Sequence, residues 1–81
     1  MGEELIQEEK NMRRLRIIVN ITEAVLMQSN LTLAESFALI ENTKKSALSL
    51  FPDKESVYDL IYTPRFLRII NERFAIPSIK H

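Results

Sequence analysis

After Gly2 the chain carries no further glycine, and its 81 residues include only three prolines. Glycine supplies most of the left-handed positions that tight turns require, and proline starts or stops helices. A chain with so few of either has few places to turn. It must therefore fold into a small number of long elements, and the prolines and caps should mark their ends.

The spacing of apolar residues predicts helices. The first runs from about residue 3 to about 28. Glu3, Glu4, Glu8 and Glu9 open it, where the helix dipole favours acids, and Lys10, Arg13, Arg14 and Arg16 follow. Ser29-Asn30 ends it. Thr32-Leu33-Ala34-Glu35 fits a capping box and starts a second helix over 33–50. Its apolar stripe is Leu33, Phe37, Ile40, Ala47, Leu48 and Phe51, interrupted by Ser36 and Lys44. Pro52 suits the first position of a third helix over 52–62, with Val57, Tyr58, Leu60 and Ile61 as its apolar face. Thr63-Pro64 opens a fourth helix over 64–75, with Phe66, Leu67, Ile70 and Phe74 on its apolar side. Pro77 closes it and leaves a short tail, 76–81. No segment alternates apolar and polar residues long enough for a strand. The expected fold is one all-α domain spanning 1–81, with two long and two short helices.

The first helix holds more apolar residues than one buried stripe requires. Leu15, Ile17, Ile18, Val19, Ile21, Ala24, Val25 and Leu26 cover more than half its circumference. Glu9, Arg13, Arg16, Asn20 and Glu23 leave one narrow polar strip. A helix that is apolar on most sides should be buried on most sides. Length sharpens the point. At ~1.5 Å per residue the first helix reaches roughly 40 Å, the second roughly 27 Å, and the others about 15 Å each. The short helices can sheath the second half of the first helix but not its beginning. The expectation is a homodimer packed through Leu5, Ile6, Met12, Leu15, Val19 and Leu26.

Composition excludes much chemistry. With no cysteine there is no disulfide scaffold and no thiolate ligand or nucleophile, and the one histidine is His81. No Gly-rich phosphate loop and no Glu-x-x-His metal signature occurs. Glu55 and Asp59 share one helix face, but nothing in the sequence buries either as acid–base catalysis would need. The serines have no histidine base other than His81. The chain is therefore read as non-enzymatic, with no catalytic, metal or cofactor residues. The acidic start MGEELIQEEK lacks the pattern of a secretory leader, and Ile6 breaks a myristoylation motif. No apolar run nears the ~20 residues that cross a bilayer. A cytoplasmic protein away from membranes is expected.

Two surfaces invite partners. Tyr58 and Tyr62, four apart, stand with Arg65 and Arg68 at the corner of the third and fourth helices, and these residue types anchor protein interfaces. The alternative uses basic clusters, Arg13 and Arg14 with Arg65 and Arg68 (and Lys10, Arg16, Arg73 and Lys80 nearby), on the phosphates of a nucleic acid. Against it stand a formal net charge of zero and the absence of a helix-turn-helix. The leading reading is a self-associating helical interaction module with a protein partner. A nucleic-acid-associated regulator is the second.

Overall fold

A computed structural model describes residues 2–28 and 30–74. Among them every regular element is helical: α1 (Gly2–Gln28), α2 (Leu33–Leu50), α3 (Glu55–Ile61) and α4 (Thr63–Phe74). The expected stop at Pro77, the tail 76–81 and Ser29 lie outside the described residues.

The start of α2 follows the capping logic of its sequence. The Thr32 hydroxyl accepts from the Glu35 N–H at 3.1 Å, and the Glu35 carboxylate accepts from the Thr32 N–H at 2.9 Å. Two backbone donors that the helix itself cannot satisfy are thereby paired. At the other end the Phe51 N–H closes on the Ala47 carbonyl.

The third helix begins later than Pro52. Lys54 N–H bonds the Phe51 carbonyl at 3.1 Å, which makes Phe51–Lys54 a turn with proline at its second position. Proline's fixed φ serves that position as well as it serves the first turn of a helix, and the turn wins here. The last two of the four helices are barely separated. Only Tyr62 separates α3 from α4, and it keeps a right-handed helical conformation. Its N–H bonds Tyr58, and Phe66 N–H bonds Tyr62 in turn, so the ladder runs on through the joint. The segments form one interrupted rod, and the chain reads as three rods.

α2 runs back antiparallel along α1. Thr22 meets Thr43 near one end, and Asn11 reaches the Leu50 carbonyl at the other. α4 packs across both. The core is Leu15, Val19 and Leu26 of α1, Ile40 and Ala47 of α2, Tyr58 of α3, and Phe66 and Ile70 of α4. On α2 the inward face differs from the expected stripe. Ser36 and Thr43 are buried, whereas Leu33 and Phe37 are exposed. The buried face (Ser36, Ile40, Thr43, Ala47) is turned away from the large residues because small side chains let α2 lie close to α1. On α3 only Tyr58 faces inward, and Val57, Leu60 and Ile61 are exposed. A seven-residue helix with a neighbour on one side has nothing to cover its other face.

The buried hydroxyls of Thr22, Ser36 and Thr43 are paired. Thr43 Oγ1 donates to the Leu39 carbonyl at 2.8 Å, which commits its proton. The 2.7 Å contact between the two threonine hydroxyls must then have Thr22 as donor. Ser36 Oγ donates to the Thr32 carbonyl at 3.0 Å.

That order of donors generates a prediction. Thr43→Val removes the acceptor and strands the Thr22 hydroxyl, at a cost of about 1–3 kcal/mol. Thr22→Val/Thr43→Val removes both partners and should recover most of that loss. Urea unfolding of the two single variants and the double reads the coupling directly. A double variant no more stable than Thr43→Val alone contradicts the assignment.

Candidate interaction surfaces

α1 outruns its neighbours. α2 ends beside Asn11, and every residue from 2 to 10 is exposed. The molecule is accordingly drawn out, 49 × 24 × 15 Å. Leu5 and Ile6 are 64% and 53% exposed, and Met12 is also exposed. The other three residues expected at a dimer interface are not on the surface. Leu15, Val19 and Leu26 are buried within this chain, because α2 and α4 pack on the face that carries them. Nor do the three companions wrap the rest of α1. Ile17 and Ile21, on the side away from the core, are 51% and 58% exposed. The sequence correctly marks α1 as too apolar for one stripe. Within a single chain only one side of it is covered.

Where α2 stops, a groove of about 270 Å³ opens among the three rods. Met12 and Leu15 of α1, Leu48 and Phe51 at the end of α2, and Val57 and Ile61 of α3 line it, with Glu8 and Lys54 as its charged members. It continues along the exposed start of α1 as a shallower lane lined by Leu5, Glu8, Glu9, Met12, Arg13 and Arg16. Neither the groove nor Ile17 and Ile21 figured in the sequence reading as a site. The only signal for them was the excess of apolar residues on α1.

The α3–α4 corner is only partly as expected. Tyr62 is half-buried and stacks 5.3 Å from Tyr58. The Arg65 guanidinium lies over the Tyr62 ring at 5.7 Å and also spans both oxygens of Glu23 on α1 at 3.0 Å each. Arg68 is exposed, as are Leu60 and Ile61. Tyr58 is different: it is 4% exposed, so it is a core residue and not part of the contact surface. Its hydroxyl is buried with no hydrogen-bond partner among the described residues. Burial disfavours the phenolate, helped by the nearby Asp59 charge, and pushes the Tyr58 pKa up to about 12.

Glu55 and Asp59, weighed as an acid pair, instead clamp Lys44 of α2, each at 3.0 Å. Thr63 donates to the second Asp59 oxygen. Bonds from Lys44 and Thr63 hold the Asp59 carboxyl below the usual range, and bonds to Glu55 and Asp59 raise Lys44. The Thr32 backbone and hydroxyl lower Glu35. The two carboxylates thus fasten α3 to α2.

The two basic clusters do not converge. Arg65 meets α1 at Glu23, and Arg73 donates to the Leu26 carbonyl at 2.6 Å. Both points lie about 10 Å or more along the axis from Arg16. Lys80, counted with this cluster, lies outside the described residues. No helix of the described residues is long and apolar enough to cross a membrane. Comparison with protein-family models, curated proteins and solved structures finds no match to this chain.

Two predictions follow from these charges and from the stranded phenol. Tyr58→Phe removes an unsatisfied buried hydroxyl and should stabilise the fold by about 1 kcal/mol at neutral pH. Because the folded pKa is raised, Tyr58's contribution is complete below about pH 10 and is lost as pH rises towards 12. The variant should lack that alkaline loss, as urea midpoints at neutral and alkaline pH would reveal. For Asp59 the sign is opposite. Its depressed pKa gives stability that is present above the ordinary carboxylate range and is lost as pH falls through it. Asp59→Asn should therefore be less stable than the parent at neutral pH and fall less steeply on acidification.

Proposed function

We propose that this chain is a non-enzymatic helical interaction module of the cytoplasm that self-associates through α1 and offers the α3–α4 corner to a second protein. The observation that carries the reading is the uncovered apolar surface of α1. Leu5, Ile6 and Met12 are exposed at its start, and Ile17 and Ile21 on its outer side. Burying each such side chain is worth ~1.5–3 kcal/mol, so a second copy that covers several of them gains enough to offset the cost of association.

At the corner, Tyr62, Leu60, Ile61 and Arg68 form the contact set, with Arg65 holding the Tyr62 ring in place. The nucleic-acid alternative loses support from the separated arginines. Two of those on α4 already hold α1, so few charges are left to converge on phosphate.

Light scattering at tens of micromolar is expected to give twice the mass of one chain, and a mass of one chain overturns the proposal. Leu60→Ala/Arg68→Ala should leave that mass unchanged, since neither residue lines the groove or the start of α1. Duplex and single-stranded nucleic acids should show no salt-dependent binding. A steep fall in affinity with salt would favour the alternative.

A further inference from the structure

We infer that the second copy lies antiparallel in the lane along the exposed start of α1, so that the leading turns of each chain enter the groove of the other. The inference rests on the self-association proposed above and adds its face, direction and register.

The lane has an apolar centre. Leu5 and Met12 are seven apart, hence on the same side of α1, and that side continues the core face of Leu15, Val19 and Leu26. At its inner end the lane runs into the groove of Met12, Leu48, Phe51, Val57 and Ile61. A partner helix here extends the same packing past the point where α2 ends.

Charge sets the direction. Residues 3–9 hold four glutamates, and residues 10–16 hold one lysine and three arginines. Among the described residues, none of these eight side chains forms an ion pair within the chain: the salt bridges involve Lys44, Glu55, Asp59, Arg65 and Glu23. A parallel pairing of two copies places glutamates on glutamates and arginines on arginines. An antiparallel pairing about a two-fold axis near residues 8 and 9 sets Glu3 and Glu4 of each copy against Arg14 and Arg13 of the other, and leaves only Glu8 and Glu9 meeting their counterparts at the axis. It brings Leu5 of each copy beside Met12 of the other, and the leading glutamates near Arg13 and Arg16. Leu5 then sits at the mouth of the groove.

The absence of native cysteine makes the geometry directly testable. Glu9→Cys places one thiol of each copy at the axis and should oxidise to a covalent dimer. Ile21→Cys places them far apart and should not. Leu5→Ser/Met12→Ser should weaken the dimer by about a hundredfold or more, while Ile17→Ser/Ile21→Ser leaves it intact. Arg13→Glu/Arg16→Glu should also be monomeric. Mixed with Glu4→Lys/Glu8→Lys/Glu9→Lys, itself monomeric, it should pair again. The substituted residues lie outside the core, and circular dichroism confirms that each variant keeps its helices. A dimer that persists in Leu5→Ser/Met12→Ser, or that cross-links through Ile21→Cys and not Glu9→Cys, overturns the lane and leaves self-association standing. A wild-type chain that is monomeric overturns both.

Discussion

The unequal lengths of α1 and α2 govern the rest of the molecule. The two helices share one seam, joined by Thr22 on Thr43 within it and by Asn11 on Leu50 at its open end. Among the described residues nothing after Leu50 extends that seam, because Pro52 sits in a turn that leads the chain across and not onward. α3 and α4 then fold back over the part of α1 already lined by α2. The consequence is a core at one end and a bare helix at the other. Whatever the protein binds, the bare end and the groove at its foot are where its structure is unfinished.

The core is small, and its packing reflects that. Eight apolar residues form it, joined by three buried hydroxyl residues. Serine and threonine at the α1–α2 contact allow close approach, and each hydroxyl finds a carbonyl or another hydroxyl, so little is lost by burying it. The polar clamps lie outside this centre. Lys44 holds Glu55 and Asp59, and Arg65 holds Glu23; these pairs are partly exposed and contribute modestly to stability. They do fix where α3 and α4 sit on the long hairpin, and so they fix the walls of the groove.

The helices and the capping box at Thr32 and Glu35 were legible in the sequence because their causes are local. Side-chain spacing, a hydroxyl and a carboxylate three residues apart, and the acids at the start of α1 all act within a turn or two. The misreadings came where a choice depended on distant residues. Ser36 looked like a break in a stripe, yet it is buried on the inward face of α2 with Thr43, which meets Thr22 of α1. Tyr58 looked like a surface anchor, but it is buried in the core with residues of α1, α2 and α4. Pro52 satisfies a turn and a helix start equally, and the path of the chain after Leu50 decides between them. The groove could not be read at all, since its lining comes from three separate rods.

Zero net charge also reads differently once the helix is seen whole. Averaged over the chain, 11 basic and 11 acidic residues give no field that would draw the protein to a polyanion. Along the bare part of α1, however, the signs are sorted into two blocks, and sorted charge distinguishes one orientation of a partner from another. Such pairs are exposed and screened over about 8 Å at physiological salt, so they give little affinity of their own. Affinity has to come from Leu5 and Met12, which are indifferent to direction and would fit many apolar grooves. In the proposed dimer the division of labour is therefore physical: apolar contact is the source of holding energy, and the order of glutamate before arginine is what disfavours the parallel arrangement. The copy in that proposed dimer lies reversed because only in that direction do the leading glutamates of one chain meet the arginines of the other.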